Sequence, residues 1–582
     1  MTAAPDRPDA ARPLCVLKFG GSVLTAPADY AAAGAEAYRH VRAGETVIII
    51  VSALQGETDA LFAEAEAAGA GASAAMTARL VRLGEYRSAA RMGLELARLG
   101  VRARVLDPHE IGLEAEGDPL DADLVRLDRQ RLDAALEDVE AVVLPGFTAG
   151  HKAHGAVTLG RGGTDLTAVF FAAQAGARRV RLIKDVDGVY TDDPARDPQA
   201  RRYDRLDHDA ALKASRGLIQ PKAIEAARAA GLVIEIAAMG AGHATRIAPG
   251  PAVIGADVRR RPLRVALLGC GAVGSGVLDH LAARPDLFAL NPVLVRHPEK
   301  RSGDARARFT REAGEALAKR PDIVIEAMGG VDQPASLLLE ALAGGAHVVT
   351  ANKAAMAARY EGLHDAARRA GRQLRYAASV GGGVVILEAL ERLKPHGVAA
   401  VEGVMNGTGN FILSRLRAGA AFDDAVAEAQ ALGFAEADPS ADVDGHDAAD
   451  KLSLLIREAF GQDVPPAAIP KDSLRKATPE RLAGAASQGE VFKQIGRCAL
   501  LPDGRVEASV QVKSVPLDHP LAGAVNEENR FVLTLNDGSV HALYGKGAGR
   551  WPTAASVFAD VMDITRACAC DASGRAALAA SA

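Results

Sequence analysis

The stretch LLGCGAVGSGV, Leu267 to Val277, closes the apolar run LRVALLG and opens a segment of helical length. Its glycines, Gly269, Gly271 and Gly274, stand in the spacing G-x-G-x-x-G. A glycine at the first position permits a tight strand-to-helix turn, and the second lets a phosphate come close to the backbone. The third lets the helix lie against the strand, so that the amides around Ala272 and Val273 face an anion. The spacing predicts a βα unit that holds the pyrophosphate of a dinucleotide; the alternative is a glycine turn in an ordinary βα unit. The next strand, in NPVLVRHPEK, ends with Arg296, and Lys300 follows closely. An acidic residue there would suit a ribose hydroxyl, whereas a cation suits a 2′-phosphate, so NADP(H) is expected over NAD(H).

Outward from this loop the chain divides. Upstream, CVLKFG, TVIIIVSA, AVVLPGF, VRLIKDV and LVIEIAA are short β-branched runs separated by alanine- and arginine-rich stretches of helical length. Such alternation predicts an α/β layer fold with a largely parallel sheet. APGPAVIGADVRRRP reads as a linker, and beyond about Tyr376 strands such as EASVQVKSV and RFVLTLND beside long helices read as α+β. A second glycine cluster, LKFGGSVLT from Leu17, places Lys18 before Gly20, Gly21 and Ser22, but it is not the P-loop pattern.

The 582 residues allow about three or four domains, and 49% are apolar, enough for sizeable cores. A formal net charge of −5 argues against a nucleic-acid binder. The five cysteines include no C-x-x-C pair, which disfavours a zinc site or a disulfide framework and suits a reducing cytoplasm. The start MTAAPDRPDAARP has no apolar core of a signal peptide, and no run of about 18 apolar residues is present, so no membrane partner is expected.

Several later segments carry a specific resemblance. VVTANKA from Val348, ASVGGG from Ala378, NGTGNFIL from Asn406, GFAEADPSADVDGHDAADKL from Gly433 and GKGAGRWPTAASVFAD from Gly545 are similar, in order, to homoserine dehydrogenases. That family reduces L-aspartate 4-semialdehyde to L-homoserine with NAD(P)H. Reduction of an aldehyde needs a hydride on carbon and a proton on oxygen, and a lysine ammonium supplies the proton. The resemblance implies Lys451 as proton donor, Lys353 as its assistant, Asp442 and Asp447 as organisers, and Glu436 on the substrate ammonium. Lys451 stands four residues after Asp447, on the same helical face. It also implies Thr350, Gly547 and Gly549 near the cofactor, and main-chain oxygens of Ala377, Val380, Gly382 and Val384 around a monovalent cation, Na⁺ or K⁺. Ala377 stands where relatives often have Glu, Gly409 where NGTTN has its second threonine, and Val385 where proline is common.

Residues 14 to about 249 resemble the amino-acid kinases, most closely aspartate kinase, through KFGGS, VSALQGETD, GEYRSA, LGRGGTD and DVDGVYTDDP. That fold binds ATP with Mg²⁺ without a P-loop. The resemblance implies Lys18 and the amides of Gly20, Gly21 and Ser22 on the transferring phosphoryl group, with Asp165 organising the lysine. It puts Arg161 and Glu85 on the substrate's carboxylate and ammonium, and Ser52, Thr58 and Thr164 beside them. Lys184, Asp185, Tyr190 and Arg196 would line the nucleotide. Three departures stand out. KFGGSVL is one polar residue shorter than the usual KFGGTSV, Lys184 replaces a threonine, and SRGLIQPKA places Gly217 where a phosphate-facing lysine is usual. Arg216 or Lys222 is a candidate substitute.

The expected fold class is therefore α/β: an amino-acid kinase fold (a parallel sheet between helices), then a Rossmann nucleotide-binding domain and an α+β catalytic and dimerisation domain. The expected boundaries are a flexible N-terminus at 1–13, the kinase at 14–249 and a linker at 250–262. The Rossmann domain takes 263–376, completed by about 545–566, the substrate and dimerisation domain 377–544, and a flexible tail 567–582. Taken together, the chain resembles bifunctional aspartate kinase–homoserine dehydrogenases, with no room for the ACT regulatory domains many of them carry. Small-molecule substrates, a cytoplasmic location and a homodimer or higher homo-oligomer follow from the resemblance. Two alternatives stay open for the kinase half: a domain that only binds ligand, and a kinase of another small acid.

Overall fold

The structure, a computed structural model, describes residues 12–69, 73–160, 162–194, 196–197, 199–255, 261–301, 304, 306–432, 434–435 and 438–580, with side chains to 568. Its described residues form two compact units, the first comprising 12–255 with 565–580 and the second 261–564.

The first unit is built on a nine-stranded sheet. At its centre Leu14–Phe19 runs parallel to Thr46–Val51 on one side and to Arg179–Lys184 on the other. Thr46–Val51 is TVIIIV, with five consecutive buried positions. An uninterrupted apolar run of this kind requires cover on both faces, which suits the parallel centre of a sheet covered by helices. Val16, Val180 and Leu182 on one face meet Ala168, Val169 and Phe171 of the helix Gly163–Ala175. A smaller four-stranded sheet, Asp121–Arg126, Glu114–Asp118, Thr148–His151 and Gly155–Thr158, stands beside the main one.

The segment 250–262, expected as a linker, is partly structured. Val253–Ile254 pairs antiparallel with Tyr203 and Arg205 as an edge strand of the main sheet. Two residues without a periodic pattern carry no strand signal, and their partner lies far away in sequence.

The second unit holds two sheets. The parallel one sets Leu263–Leu268 between Val293–Leu294 and Ile323–Glu326, with His347–Thr350 and Leu374–Arg375 beyond the latter. Strand order thus reverses at Leu263–Leu268, and the crevice at its carboxyl end is where such sheets bind ligands. The second sheet is antiparallel, in the order Val506–Pro516, Glu490–Leu500, Val398–Val404, Glu528–Leu535, Val540–Lys546. Helix His446–Phe460 fills the space between the sheets, burying Leu452, Leu454, Leu455 and Ile456 against Val401, Phe531 and Leu533.

The last helix, Arg550–Ala580, returns to the nucleotide-binding layer. Phe558 stacks on His280 at 4.8 Å and meets Phe288 edge-on, while Arg550 pairs with Asp279 at 2.7 Å. A Cβ at Gly276 would come within 2.8 Å of the Ala554 Cβ, so this crossing of helices demands glycine. Within the segment expected as a flexible tail the helix runs to Ala580, in keeping with its alanine content, because alanine is the strongest helix former.

Candidate active sites

In the second unit the glycine turn has the geometry its spacing implies. Gly269 lies in the left-handed region at φ +97°, and a Cβ there would strike the Ala327 carbonyl at 2.5 Å. A Cβ at Gly274 would strike the Gly269 carbonyl at 2.2 Å, whereas the corresponding point at Gly271 has nothing within 4 Å. The first and third glycines are thus required by packing, and the second leaves its backbone open beside the N-terminus of the helix Ala272–Ala282. Ala272 and Val273 occupy that first turn.

A cavity of about 680 Å³ opens there. Gly269, Cys270 and Gly271 form one wall, and Arg296, His297, Lys300, Arg301 and Arg311 line another. Arg301 donates to the Cys270 carbonyl at 2.5 Å, and Arg311 pairs with Glu299 at 2.9 Å. Arg296 and Lys300 have no ion-pair partner among the described residues. An open backbone anion cradle with a basic rim fits the phosphates of a dinucleotide.

Deeper along the carboxyl edge of the parallel sheet, Thr350 donates its hydroxyl to the fully buried Glu326, which also accepts from the Met328 amide at 2.7 Å. Burial pushes the Glu326 carboxyl above its ordinary range.

The proton-transfer candidates meet at the start of helix His446–Phe460. Asp447, in its first turn, accepts from Lys353 Nζ at 2.7 Å and from Lys451 Nζ, one turn on, at 3.0 Å. Lys353 is the first residue of the helix Lys353–Ala370, capped by Asn352, whose side chain accepts from the Ala355 amide at 3.0 Å. Lys451 Nζ also donates to the Met405 carbonyl at 2.8 Å. Asn406, the cap of the helix Gly407–Arg417, turns its amide to Asp442 at 2.6 Å and to Asp447 at 2.8 Å. Burial alone would raise the Asp447 carboxyl, but the Lys451 and Lys353 charges outweigh it and hold the group well below the usual carboxylate range. The same carboxylate raises Lys353. Asp442 moves the other way, raised chiefly by burial.

Gly382, at φ +62°, approaches the Gly547 carbonyl so closely that a Cβ would lie 2.3 Å from it. Gly547 in turn abuts the Asn529 side chain, and Gly549, at φ +110°, leads into the last helix. Ala377 and Val380 fall in the short helix Ala377–Gly381, and the Val384 carbonyl accepts from the Ile386 amide at 2.9 Å.

In the first unit, Lys18 and Lys184 converge on one carboxylate. Asp165 accepts from Lys18 Nζ at 2.7 Å and from Lys184 Nζ at 2.9 Å, and all three groups are buried. A Cβ at Gly20 would lie 2.5 Å from Lys18 Nζ, so that glycine makes room for the ammonium. Gly21 lies near Ala53 and Gln55, and Ser22 is exposed. The Ser52 hydroxyl donates to Thr164 at 3.0 Å, and Thr58 stands half-buried near the start of the helix Glu57–Ala67. Glu85 is 2% exposed, and burial pushes its carboxyl up to about 8. Its Oε2 is buried without a hydrogen-bond partner among the described residues.

Asp185 is exposed at the end of the strand Arg179–Lys184. The Tyr190 hydroxyl donates to Asp187 at 2.6 Å, and the exposed Arg196 pairs with Asp193 at 3.3 Å. Gly217 sits at φ +86° with open space around it. Arg216 pairs with Asp192 at 2.5 Å and Lys222 with Asp123 at 3.5 Å. Arg161 and Glu436 lie outside the described residues.

One further cluster resembles a metal site. Cys15, His40 and Glu45 place ligand atoms within 4.8 Å of one another. Glu45 is already paired with His40 at 2.6 Å and Arg179 at 2.7 Å, and burial pushes the Cys15 thiol up to about 12. The cluster reads as a buried ion-pair network with a neutral thiol.

Sequence reasoning missed Asn406, Glu326, Arg301 and Arg311. Asn406 carried a signal, an asparagine immediately before a helical run. So did Glu326, an acid closing the apolar strand Ile323–Glu326. Arg301 and Arg311 reach the cavity only through the fold of their loop.

Comparison with known proteins agrees with this geometry. Residues 269–377 match the homoserine dehydrogenase NAD-binding domain, 384–562 the homoserine dehydrogenase family, and 13–238 the amino acid kinase family. The chain is 35% identical over 323 residues to homoserine dehydrogenase of Synechocystis, covering 52% of this chain and 73% of that protein. It is 35% identical over 319 residues to the Bacillus subtilis homoserine dehydrogenase, covering 53% and 73%. Among solved structures, a homoserine dehydrogenase from Thiobacillus denitrificans aligns with a TM-score of 0.51 at 34% identity, over 54% of this chain and 75% of that one. The chain belongs to the homoserine dehydrogenase family, with an amino acid kinase domain ahead of that module in the same polypeptide.

Proposed function

We propose that the two units act on the aspartate skeleton. The first phosphorylates the β-carboxylate of L-aspartate with ATP and Mg²⁺, and the second reduces L-aspartate 4-semialdehyde to L-homoserine with a preference for NADPH. One observation carries the reading in both units: a buried carboxylate shared by two lysine ammoniums, Asp447 in one and Asp165 in the other.

In the dehydrogenase unit, the dinucleotide supplies the hydride when bound. Asp447 keeps Lys353 protonated and pairs with Lys451, and the Met405 carbonyl aims the Lys451 ammonium. Lys451 hydrogen-bonds the aldehyde oxygen and gives it a proton as negative charge develops there. Lys353 adds a second positive charge beside the same carboxylate. Asn406 fixes Asp447 and Asp442 together, so that neither carboxylate turns away from the lysines. Arg296 and Lys300 on the cavity rim support a 2′-phosphate, and the turn Ala377–Val384 supplies the carbonyls proposed for a monovalent cation.

In the kinase unit two anions must meet, and Lys18, with the open amides around Gly20 and Gly21, lowers the charge barrier between them. Glu85 supports an amino-acid acceptor, since its unpartnered oxygen matches an ammonium. The first test is aspartate-dependent release of ADP by the full-length protein and by Lys18→Ala. Activity in the former and its loss in the latter supports the reading; no release in the wild type defeats it. For the second unit, Arg296→Ala combined with Lys300→Ala is expected to raise KM for NADP⁺ at least tenfold and to leave KM for NAD⁺ nearly unchanged.

A further inference from the structure

Lys18 and Lys184 stand on adjacent parallel strands. Lys18 is in register with Leu182, and Lys184 lies two residues further along the neighbouring strand, on the same face of the sheet. Both ammoniums are buried and both bond Asp165, which lies in the first turn of the helix Gly163–Ala175. The trio therefore holds two positive charges against one negative charge. The N-terminus of that helix adds further positive potential at the same point. A buried surplus of positive charge is costly unless an anion completes it. Among the described residues neither nearby carboxylate bonds the two lysines: burial pushes Glu85 up to about 8, and Asp185 lies exposed at the strand end. Meanwhile the cations near Gly217 are engaged elsewhere, Arg216 with Asp192 and Lys222 with Asp123, and both are half or more exposed.

We propose that Lys184 is a catalytic residue of the kinase unit, forming with Lys18 a two-lysine clamp on the phosphoryl group in transfer and supplying the charge that Gly217 lacks. The inference rests on the phosphoryl-transfer reading above. In the step itself, a carboxylate oxygen of the acceptor bonds to the γ-phosphorus as the bond from that phosphorus to the β,γ-bridging oxygen breaks. The electron pair of the broken bond leaves with ADP. No proton moves as the equatorial oxygens pass between the two lysines. Charge on those oxygens is what two fixed ammoniums stabilise.

The test compares the full-length wild type with Lys184→Met and Lys184→Gln. The methionine removes charge and hydrogen bond, and the glutamine keeps a donor for Asp165 without the charge. Both are expected to lower kcat for aspartate-dependent ADP release about 100-fold or more. Both are also expected to abolish the preference for Mg-AMPPNP over Mg-ADP measured by calorimetry, because that difference reports the γ-phosphate. The unliganded melting temperature is expected to hold or rise, since Asp165 keeps Lys18 and a like-charged neighbour is gone. Retention of kcat and of the γ-phosphate preference in Lys184→Met overturns the proposal. So does near-normal catalysis in Lys184→Gln, which would make Lys184 a positioning residue for Asp165. A lowered melting temperature with the preference intact also overturns it. A wild type that discriminates between the two nucleotides but releases no ADP with aspartate defeats only the aspartate reading. The nucleotide preference of the variants then still decides the role of Lys184.

Discussion

Asp447 shows how one residue sets the protonation of another. Replacing it with asparagine keeps the shape but leaves Lys353 and Lys451 facing each other without a counter-charge. Because Asp447 raises Lys353, its loss lets the lysine shed its proton at lower pH. Asp447→Asn is expected to reduce kcat for homoserine oxidation about 100-fold or more and to move the basic side of the pH–kcat/KM profile to lower pH. Glu85 makes the opposite case. Its folded-state value of about 8 lies above the ordinary 4.5. Below pH ~4.5 folded and unfolded chains both hold the proton, so there is no penalty. Between that point and about 8 only the unfolded chain sheds it, and stability falls as pH rises, by up to roughly 5 kcal/mol. Glu85→Gln is therefore expected to melt close to the wild type near pH 5 and several degrees above it near pH 8.5, by scanning calorimetry at both pH values.

At the scale of elements, helix starts do the positioning. Lys353 follows the cap Asn352, Asp447 lies in the first turn of the helix that follows Gly445 at φ +77°, and Asn406 caps a third helix while bonding two carboxylates. Asn406→Ala removes a cap worth about 1 kcal/mol. It also releases Asp442 and Asp447, so activity is expected to fall more steeply than stability, which parallel melting and rate measurements will separate. The crossing of the helices Ala272–Ala282 and Arg550–Ala580 depends on Gly276 in the same direct way. Gly276→Val forces the helices apart against Ala554 and is expected to cost about 2 kcal/mol, read by denaturant unfolding followed through homoserine oxidation. The G-x-G-x-x-G turn was legible in advance because every contact that demands its glycines lies within one βα unit or the adjacent strand. The edge strand Val253–Ile254 was not, because its pairing with Tyr203 and Arg205 leaves no trace in two residues.

At the scale of the whole molecule, each unit carries its own buried lysine–carboxylate cluster. The product of a kinase step on aspartate is an acyl phosphate, and the substrate of the second unit is an aldehyde. A separate reductive step must join them. The two activities are accordingly expected to be separable. Lys18→Ala should abolish ADP release with homoserine oxidation within about twofold of wild type, and Lys451→Ala should do the reverse, both measured on the same preparations.

Read alone, the sequence was enough to determine the two glycine loops, the order of the α/β and α+β segments, and Lys451 one turn after Asp447. These depend on spacing within a few residues, where backbone geometry leaves few choices. Only the tertiary structure decided that Lys353 joins them, that Asn406 ties Asp442 to Asp447, and that Lys184 shares Asp165 with Lys18. Those partners lie on separate strands and helices, and their meeting is set by how sheets and helices pack.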